Sequence, residues 1–274
     1  MNTLRGVVCG LAVFGCVHAA GAADLDYLRG SDVFEPQSET YFCWSGTYFG
    51  AQVGYANVNM DFTNSAASLI AYILRVSTLE ANGNISQWPL LGRADVRDVS
   101  YGGFVGYNWQ FQDAIIGVEA NYNRASLAGQ SSGSLERIVS PGDGLVYDTT
   151  VSAEGAMKIT DYGTLRGRAG WAFGRFMPYV MLGLAGGRVE THRSATVSAI
   201  VTNPADGTTF QYGPISKTVD KAVYAFGYAA GAGVDIALLP NVFVRGEFEW
   251  VQFSNLPDMK AEITTGRVAA GVKF

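Results

Sequence analysis

The most constraining feature of this sequence is a long alternation of side-chain character over residues 221–238. Aromatic and aliphatic residues occupy every second position, and small residues or an aspartate fill most of the positions between them. The apolar set consists of Tyr224, Phe226, Tyr228, Ala230, Ala232, Val234, Ile236 and Leu238. Because successive side chains of a β-strand point to opposite faces, the pattern predicts a strand with one apolar face. This strand is longer than the strands of most globular sheets.

Other segments alternate in the same way and are joined by connections of two kinds. They lie near residues 47–58, 101–111, 116–122, 158–173, 179–185, 242–250 and 262–274. Tight turns at residues 112–113, 174–175 and 239–241 contrast with long connections at 61–99, 128–157 and 191–220. Short turns at one end and long loops at the other are typical of outer-membrane barrels. We predict an all-β fold, an eight-stranded antiparallel transmembrane β-barrel with short periplasmic turns and long extracellular loops.

The last segment shows how such a barrel would close. Its apolar stripe ends on Phe274, the final residue, and Arg267 and Lys273 lie on the opposite face. Inside a bilayer, an open strand edge would leave backbone groups without hydrogen-bond partners. We therefore expect this segment to pair with the first strand.

The N-terminus has the features of an export signal. Arg5 precedes a short apolar core, and residues 20–22 fit a small-residue cleavage site. The predicted organisation is a signal peptide at 1–22, an acidic periplasmic leader at 23–43 and the barrel at 44–274. A lipoprotein acylated at Cys16 is the competing interpretation, although Phe14 fits the acylation box poorly.

Composition excludes several kinds of chemistry. The formal net charge is -5, which argues against nucleic acid as a partner. No run of 18 apolar residues follows the N-terminus, so transmembrane helices are not expected. Cleavage of the signal would leave Cys43 and His192 as the single cysteine and histidine. We predict no metal or cofactor site and no catalytic residues, and we treat His192 as a surface residue, with haem ligation as the alternative.

The first long connection contains apolar residues at roughly helical spacing between residues 65 and 81. Three arrangements remain open at this stage. The segment forms a helix on the lipid surface, a cap over the barrel mouth, or a loop packed on its own apolar residues.

Charged residues gather on the face opposite the apolar stripes. They are Glu119, Arg166, Arg168, Arg245, Glu247, Glu249 and Arg267. An arginine facing lipid at the bilayer midplane costs about 2 to 4 kcal/mol, so these side chains are expected to point into the lumen. Eight strands leave an interior just wide enough for side chains. We favour a structural network that fills the bore over an ion path, and we expect Asp235→Asn to be tolerated.

Aromatic residues near the strand ends are candidates for the two membrane interfaces, where amphipathic rings are favoured. They are Tyr55, Tyr107, Trp109, Tyr122, Trp171, Phe173 and Trp250. Glycines on the lumen side, such as Gly106 and Gly233, are expected to make room for large inward side chains.

The chain resembles the small porin-like outer-membrane β-barrels of Gram-negative alphaproteobacteria, the 25- and 31-kilodalton surface-antigen group. The resemblance rests on residues 44–50, 101–110, 117–119, 164–172, 178–180, 230–235 and 268–274. It implies an abundant envelope protein, described as a porin, an antigen or a haem binder, whose terminal Phe274 is read by the barrel assembly machinery. The long loops match no part of that pattern.

These observations lead to one expected function and two alternatives. The expected function is envelope integrity and surface display, with at most narrow passage of small solutes. Expected partners are outer-membrane lipid and lipopolysaccharide and the barrel assembly machinery. The principal alternative is a surface receptor that binds haem or a host molecule through its long loops, and a lipid-hydrolysing enzyme is the third.

Overall fold

A computed structural model describes residues 42–254, 256 and 258–274. Eight antiparallel strands form a closed barrel in which each strand pairs with its neighbours in sequence. They are β1 (Gly46–Asp61), β2 (Arg93–Phe111), β3 (Ala114–Val139), β4 (Val146–Trp171), β5 (Phe176–Thr202), β6 (Thr209–Leu239), β7 (Val242–Phe253) and β8 (Lys260–Lys273). The predicted fold class is confirmed. The predicted signal peptide and nearly all of the predicted leader lie outside the described residues.

The last strand closes the barrel against the first. The β1–β8 ladder runs from Tyr48 opposite Lys273 to Asp61 opposite Lys260. The amide of Phe274 donates to the carbonyl of Thr47 over 2.9 Å. No backbone edge is left open at this seam, as the membrane requires.

The outward and inward faces follow the predicted alternation. Large apolar side chains exposed on the outer wall include Phe49, Val53, Val105, Ile116, Val118, Leu165, Val180, Leu182, Leu184, Phe226, Phe248 and Val268. The aromatic candidates Tyr55, Tyr107, Trp109, Tyr122, Trp171 and Phe173 are exposed on the same wall, and Trp250 is partly buried. Near the periplasmic end, the rings of Phe49 and Phe274 stack with centroids 5.6 Å apart.

Two of the predicted long loops are instead continuations of strands. Residues 128–139 and 146–157 extend β3 and β4, and residues 191–202 and 209–220 extend β5 and β6. These extensions were not predicted because the strands were assigned from apolar residues on the outer wall. Above the bilayer the alternation reverses, so that Val151 and Val197 face inward and are buried while Ser134 and Glu154 lie on the opposite face. Water replaces lipid around this part of the wall, and polar residues therefore suit its outer face.

The first long connection folds into the extracellular mouth. It contains the short helices α1 (Ala67–Ile73) and α2 (Thr78–Gly83), and we call residues 62–92 the loop plug. Ile70 and Leu74 are fully buried, in a cluster that includes Leu127 of β3 and Val197 of β5. Of the three arrangements left open by the sequence, the structure shows the cap over the barrel mouth, and the helix on the lipid surface is wrong. None of the described helices is long and apolar enough to span a bilayer.

Candidate functional site in the barrel interior

The seven charged residues singled out from the sequence all lie in the barrel interior. They come from the inward faces of β3, β4, β7 and β8, and each is buried. With Asp235 of β6 they form a group of four arginines and four carboxylates, which we call the charge network. The opposite charges are equal in number, so the network carries no net formal charge.

Arg166 is the most connected cation of the network. Its guanidinium hydrogen-bonds to Glu119 and lies 2.9 Å from the carboxylate of Glu247 and 2.7 Å from that of Glu249. Glu119 lies opposite Arg166 on the neighbouring strand β3, whereas Glu247 and Glu249 lie on β7, which shares no ladder with β4. One side chain therefore ties together strands that do not share a ladder.

Asp235 forms a second centre of the charge network. It lies 2.7 Å from Arg168 and 2.7 Å from Arg245. Glu119 contacts the same two arginines over 3.1 Å and 2.8 Å. Tolerance of Asp235→Asn is therefore no longer expected, because removal of this charge would leave two buried guanidinium groups with fewer carboxylate partners. The register that sets Asp235 opposite Arg245 was the missing signal.

Arg267 completes the network on β8. Its guanidinium lies 2.8 Å from Glu247 and hydrogen-bonds to Glu249. Desolvation of ions is costly, and their mutual attraction offsets the cost only where the geometry is good and further hydrogen bonds are made. The network offsets this cost through contacts that converge from five strands, although Arg168 Nε, Glu247 Oε1 and Arg267 Nε make no hydrogen bond within the described part of the chain. Its geometry therefore depends on barrel closure.

Two tyrosines link the network to the barrel wall. The Tyr48 hydroxyl donates to Glu119 over 2.9 Å, and the Tyr179 hydroxyl donates to Glu247. Each ring lies over an inward glycine, because a Cβ on Gly106 would lie 2.3 Å from the Tyr48 oxygen and one on Gly233 2.5 Å from the Tyr179 oxygen. The prediction that inward glycines make room for large side chains is confirmed at these positions.

A layer of amides lies on the extracellular side of the charge network. Gln52, Asn121 and Asn123 form this amide layer, with hydrogen bonds of 2.8 Å and 2.6 Å from the Gln52 nitrogen to the two asparagine oxygens. Arg267 donates to both asparagines over 3.4 Å and 3.3 Å. None of these three residues was among the sequence-based candidates for the interior, because an amide carries no charge to mark it.

An aromatic cluster closes the periplasmic end of the interior. Trp44, which precedes β1, is buried against Phe243, and its indole nitrogen donates to the carbonyl of Gly174 over 3.2 Å. Gly174 belongs to the turn between β4 and β5, across the ring from β1. The Trp44 side chain therefore reaches across the bore. From the periplasmic end the interior holds this cluster, the charge network, the amide layer and the loop plug.

His192 lies outside this interior. It occupies the outer wall of β5 above the membrane, and its Nδ1 contacts the carboxylate of Asp220 on β6. Within the described part of the chain, no three histidine, cysteine, aspartate or glutamate residues are grouped as metal ligands. Cys43 is exposed near the periplasmic end of β1.

The fold and its filled interior define a small β-barrel of the outer membrane. A sequence profile of the family described as "Outer membrane protein beta-barrel domain" matches residues 9–274. This chain belongs to that family and is located in the outer membrane. It is 26% identical over 285 residues to the 31 kDa outer-membrane immunogenic protein of Brucella melitensis, with 96% of this chain and 98% of that protein covered.

The two Brucella proteins agree with the resemblance found in the sequence. The 25 kDa outer-membrane immunogenic protein of Brucella ovis is 24% identical over 233 residues, which are 85% of this chain and 79% of that protein. Among solved structures, the attachment invasion locus protein Ail of Yersinia pestis is 13% identical, with 84% of this chain and 99% of that chain covered and a TM-score of 0.35. Neisserial surface protein A is 16% identical, with 84% and 98% covered and a TM-score of 0.34.

Proposed function

We propose that this protein is a closed, non-enzymatic barrel that supports envelope integrity and displays its extracellular hairpins at the cell surface. The single observation that carries the proposal is the filled interior. The charge network alone uses eight side chains, all buried, at a level that any solute crossing the barrel would have to pass. Passage through the lumen is therefore at most narrow and restricted to small solutes.

Conductance tests the closed lumen directly. The purified protein in planar lipid bilayers is expected to give little or no conductance. A variant in which residues 63–91 are replaced by a short Gly-Ser linker is expected to remain closed, because the charge network lies below the loop plug. Large, stable channels in the wild-type protein would overturn the proposal, and channels only in the shortened variant would assign the seal to the loop plug.

Surface display predicts different accessibility at the two ends of the barrel. A cysteine introduced by Ala205→Cys lies in the exposed turn between β5 and β6, whereas Cys43 lies at the periplasmic end. A membrane-impermeant maleimide should label the new cysteine on intact cells and should reach Cys43 only after the outer membrane is permeabilised. Labelling of Cys43 alone on intact cells would reverse the orientation.

Envelope integrity is tested in cells that lack the protein. We expect such cells to become more sensitive to detergent, and the variant with the shortened loop plug to restore resistance because its barrel is intact. Wild-type resistance in the deletion strain would remove this part of the proposal and would leave surface display standing.

Phe274 is proposed as the signal for the barrel assembly machinery. Its backbone is held by Thr47, but the residue is 72% exposed and its ring stacks on Phe49 of the outer wall, so its removal affects little internal packing. Deletion of Phe274 should reduce the amount of folded barrel in cells, and the purified variant should still refold in detergent. Equal failure in both settings would indicate a structural role instead.

A haem receptor is the second candidate, and one feature of the outer wall favours it. A shallow groove of about 560 Å³ crosses β3 to β6, and the outward-facing side chains that line it include Lys158, Glu190 and His192. The Asp220 carboxylate contacts Nδ1 of the imidazole, and Nε2 remains available to bind a metal. Histidines that bind metals commonly pair their other ring nitrogen with a carboxylate in this way. Haem titration of the wild-type protein and of His192→Ala tests the role, and unchanged binding would exclude this histidine.

A further inference from the structure

The upper part of β6 has one edge without a partner strand. On one side, β6 pairs with β5 up to Thr209. On the other side, its ladder with β7 begins only at Gly227 opposite Phe253, because β7 ends there. One further backbone bond, from the amide of Ser254 to the carbonyl of Phe226, precedes the gap. Among the described residues, no backbone hydrogen bond uses this edge between residues 209 and 225.

The backbone amide and carbonyl groups of successive residues in a strand point alternately to its two edges, which identifies the residues whose groups point to this free edge. The Phe226 carbonyl faces the β7 side, and the backbone groups of every second residue face the same way. The residues concerned are Ser216, Thr218, Asp220, Ala222 and Tyr224. Each presents an amide hydrogen and a carbonyl oxygen in the spacing that a further strand needs. Pro214, which has no amide hydrogen, limits the ladder at its extracellular end.

Beside the free edge, the inward face of β6 carries basic side chains. Lys217 and Lys221 lie opposite the inward-facing residues Ala195 and Thr191 of β5, so both belong to the inward face, four residues apart. The ammonium of Lys217 lies 4.3 Å from the ring centroid of Tyr72 on α1, and the Arg75 guanidinium covers the same ring at 4.5 Å. The acidic residue of this segment, Asp220, lies on the other face and contacts His192.

We propose that the free edge of β6 binds an extended acidic segment of another protein outside the cell by adding it to the sheet as a further strand. Main-chain hydrogen bonds supply the affinity in this mode of recognition, and side chains on alternate positions supply the specificity. Two carboxylates four residues apart on one face of the partner would meet Lys217 and Lys221. Lysines and prolines on exposed edges also oppose indiscriminate strand pairing. This inference is independent of the closed lumen, since the edge lies above the bilayer.

A second copy of this chain in the same membrane does not fit the site. Two copies in one membrane are related by an axis along the membrane normal, so both β6 strands would descend toward the periplasm. Barrel strands tilt by about 35 to 45°, and the two edges would therefore cross instead of forming a ladder. The same arrangement would bring together the lysines of both copies, which repel one another.

Amide hydrogen exchange tests the proposal on the full barrel in lipid nanodiscs. The probe is a peptide of about nine residues that alternates threonine and valine and carries two glutamates four residues apart. The peptide should slow exchange at Ser216, Thr218, Asp220, Ala222 and Tyr224 by tenfold or more. It should leave the odd-numbered amides unchanged, because these already bond to β5. Slowing at neither set, or at both sets equally, would overturn strand addition.

Two variants and a second peptide separate the backbone and charge contributions. Thr218→Pro removes one edge amide, and Thr218→Val keeps it. We expect affinity to fall at least tenfold for the proline variant and less than twofold for the valine variant. The double variant Lys217→Glu with Lys221→Glu should no longer bind the glutamate peptide and should bind a peptide in which lysines replace the two glutamates. Gel mobility of the folded barrel verifies each variant, and glutamate-peptide binding that survives both the proline and the charge-reversal changes would overturn the proposal.

Discussion

The lower and upper halves of the barrel interior are both filled, but by different physical means. The lower half contains the charge network, whose side chains come from strands that a closed barrel brings face to face. The upper half contains apolar side chains of the loop plug packed on apolar strand residues. The first seal depends on closure of the barrel itself. The second belongs to a connection between β1 and β2 and is separable from the strands.

This difference predicts which half unfolds with the barrel and which half opens alone. Every member of the charge network lies on a membrane-spanning strand, so loss of the network opposes assembly of the whole sheet. The loop plug is tied to the wall by packing and by a few polar contacts. Asp258 accepts hydrogen bonds from Arg193 and from Ser68 of the plug, both over 2.9 Å. Local opening of the plug need not disturb the ladder beneath it.

The largest effect is expected for Arg166→Met. The change leaves Glu119, Glu247 and Glu249 with fewer positive partners in a buried site and should cost about 3 to 5 kcal/mol of unfolding free energy. Urea titration followed by gel mobility measures it. Arg175→Met, at an exposed periplasmic turn, is the matched control. Addition of Glu247→Gln restores the balance of charge and should recover part of the loss. A mild effect of the single change would show that water reaches the network.

The next effect is expected in the upper half. Ile70→Ala and Leu74→Ala each remove a fully buried side chain, which costs about 2 to 5 kcal/mol at well-packed sites. We expect this cost to appear as faster proteolysis within the loop plug, with the urea midpoint of the barrel nearly unchanged. Val76→Ala, in the same connection but exposed, is the control. A parallel fall in the barrel midpoint would show that the two halves form one cooperative unit.

A smaller effect is expected for Asp258→Asn. The change weakens the contacts with Arg193 and Ser68, and a typical hydrogen bond contributes about 0.5 to 1.5 kcal/mol. Hydrogen exchange in α1 should therefore increase modestly, and Asp148→Asn on the outer wall of β4 should have no such effect. Exchange that increases equally in β7 would contradict an action confined to the plug.

The smallest effect is a dependence on pH at the tip of the plug. Hydrogen bonds from Tyr147, Leu145 and Thr78 hold the pKa of Asp143 below its ordinary value of 3.8. Because this pKa is lowered, the contact stabilises α2 fully at pH values above 3.8. The stabilisation is lost as the pH falls through the lower pKa of the folded state. Proteolysis near α2 should increase only in that acidic window. Asp143→Asn should abolish the dependence, and a rise between pH 5 and 7 would point to another group.

Much of the lower half could be predicted from the sequence, because a charged side chain on the lipid-facing side of a strand costs free energy. An apolar stripe must meet lipid, so the positions between its members were expected in the lumen, and the structure places Arg166, Glu249 and Arg267 there. Sequence periodicity does not say which inward residues meet across the bore. The contact of Arg166 with Glu249 joins β4 to β7, which share no ladder. Asp235 was omitted because its place opposite Arg245 depends on the register between the neighbouring strands β6 and β7.

The upper half shows what only tertiary structure decided. Outside the membrane the polar face of a strand turns outward, so the extended hairpins were mistaken for loops. Helical spacing in residues 65–81 indicated helix, but the place where Ile70 and Leu74 are buried depends on walls supplied by β3 to β6. The sequence by itself determined the strands, their faces and the closing role of the last strand, because lipid acts on each side chain locally. Contacts across the bore and at the mouth arise only when the barrel closes.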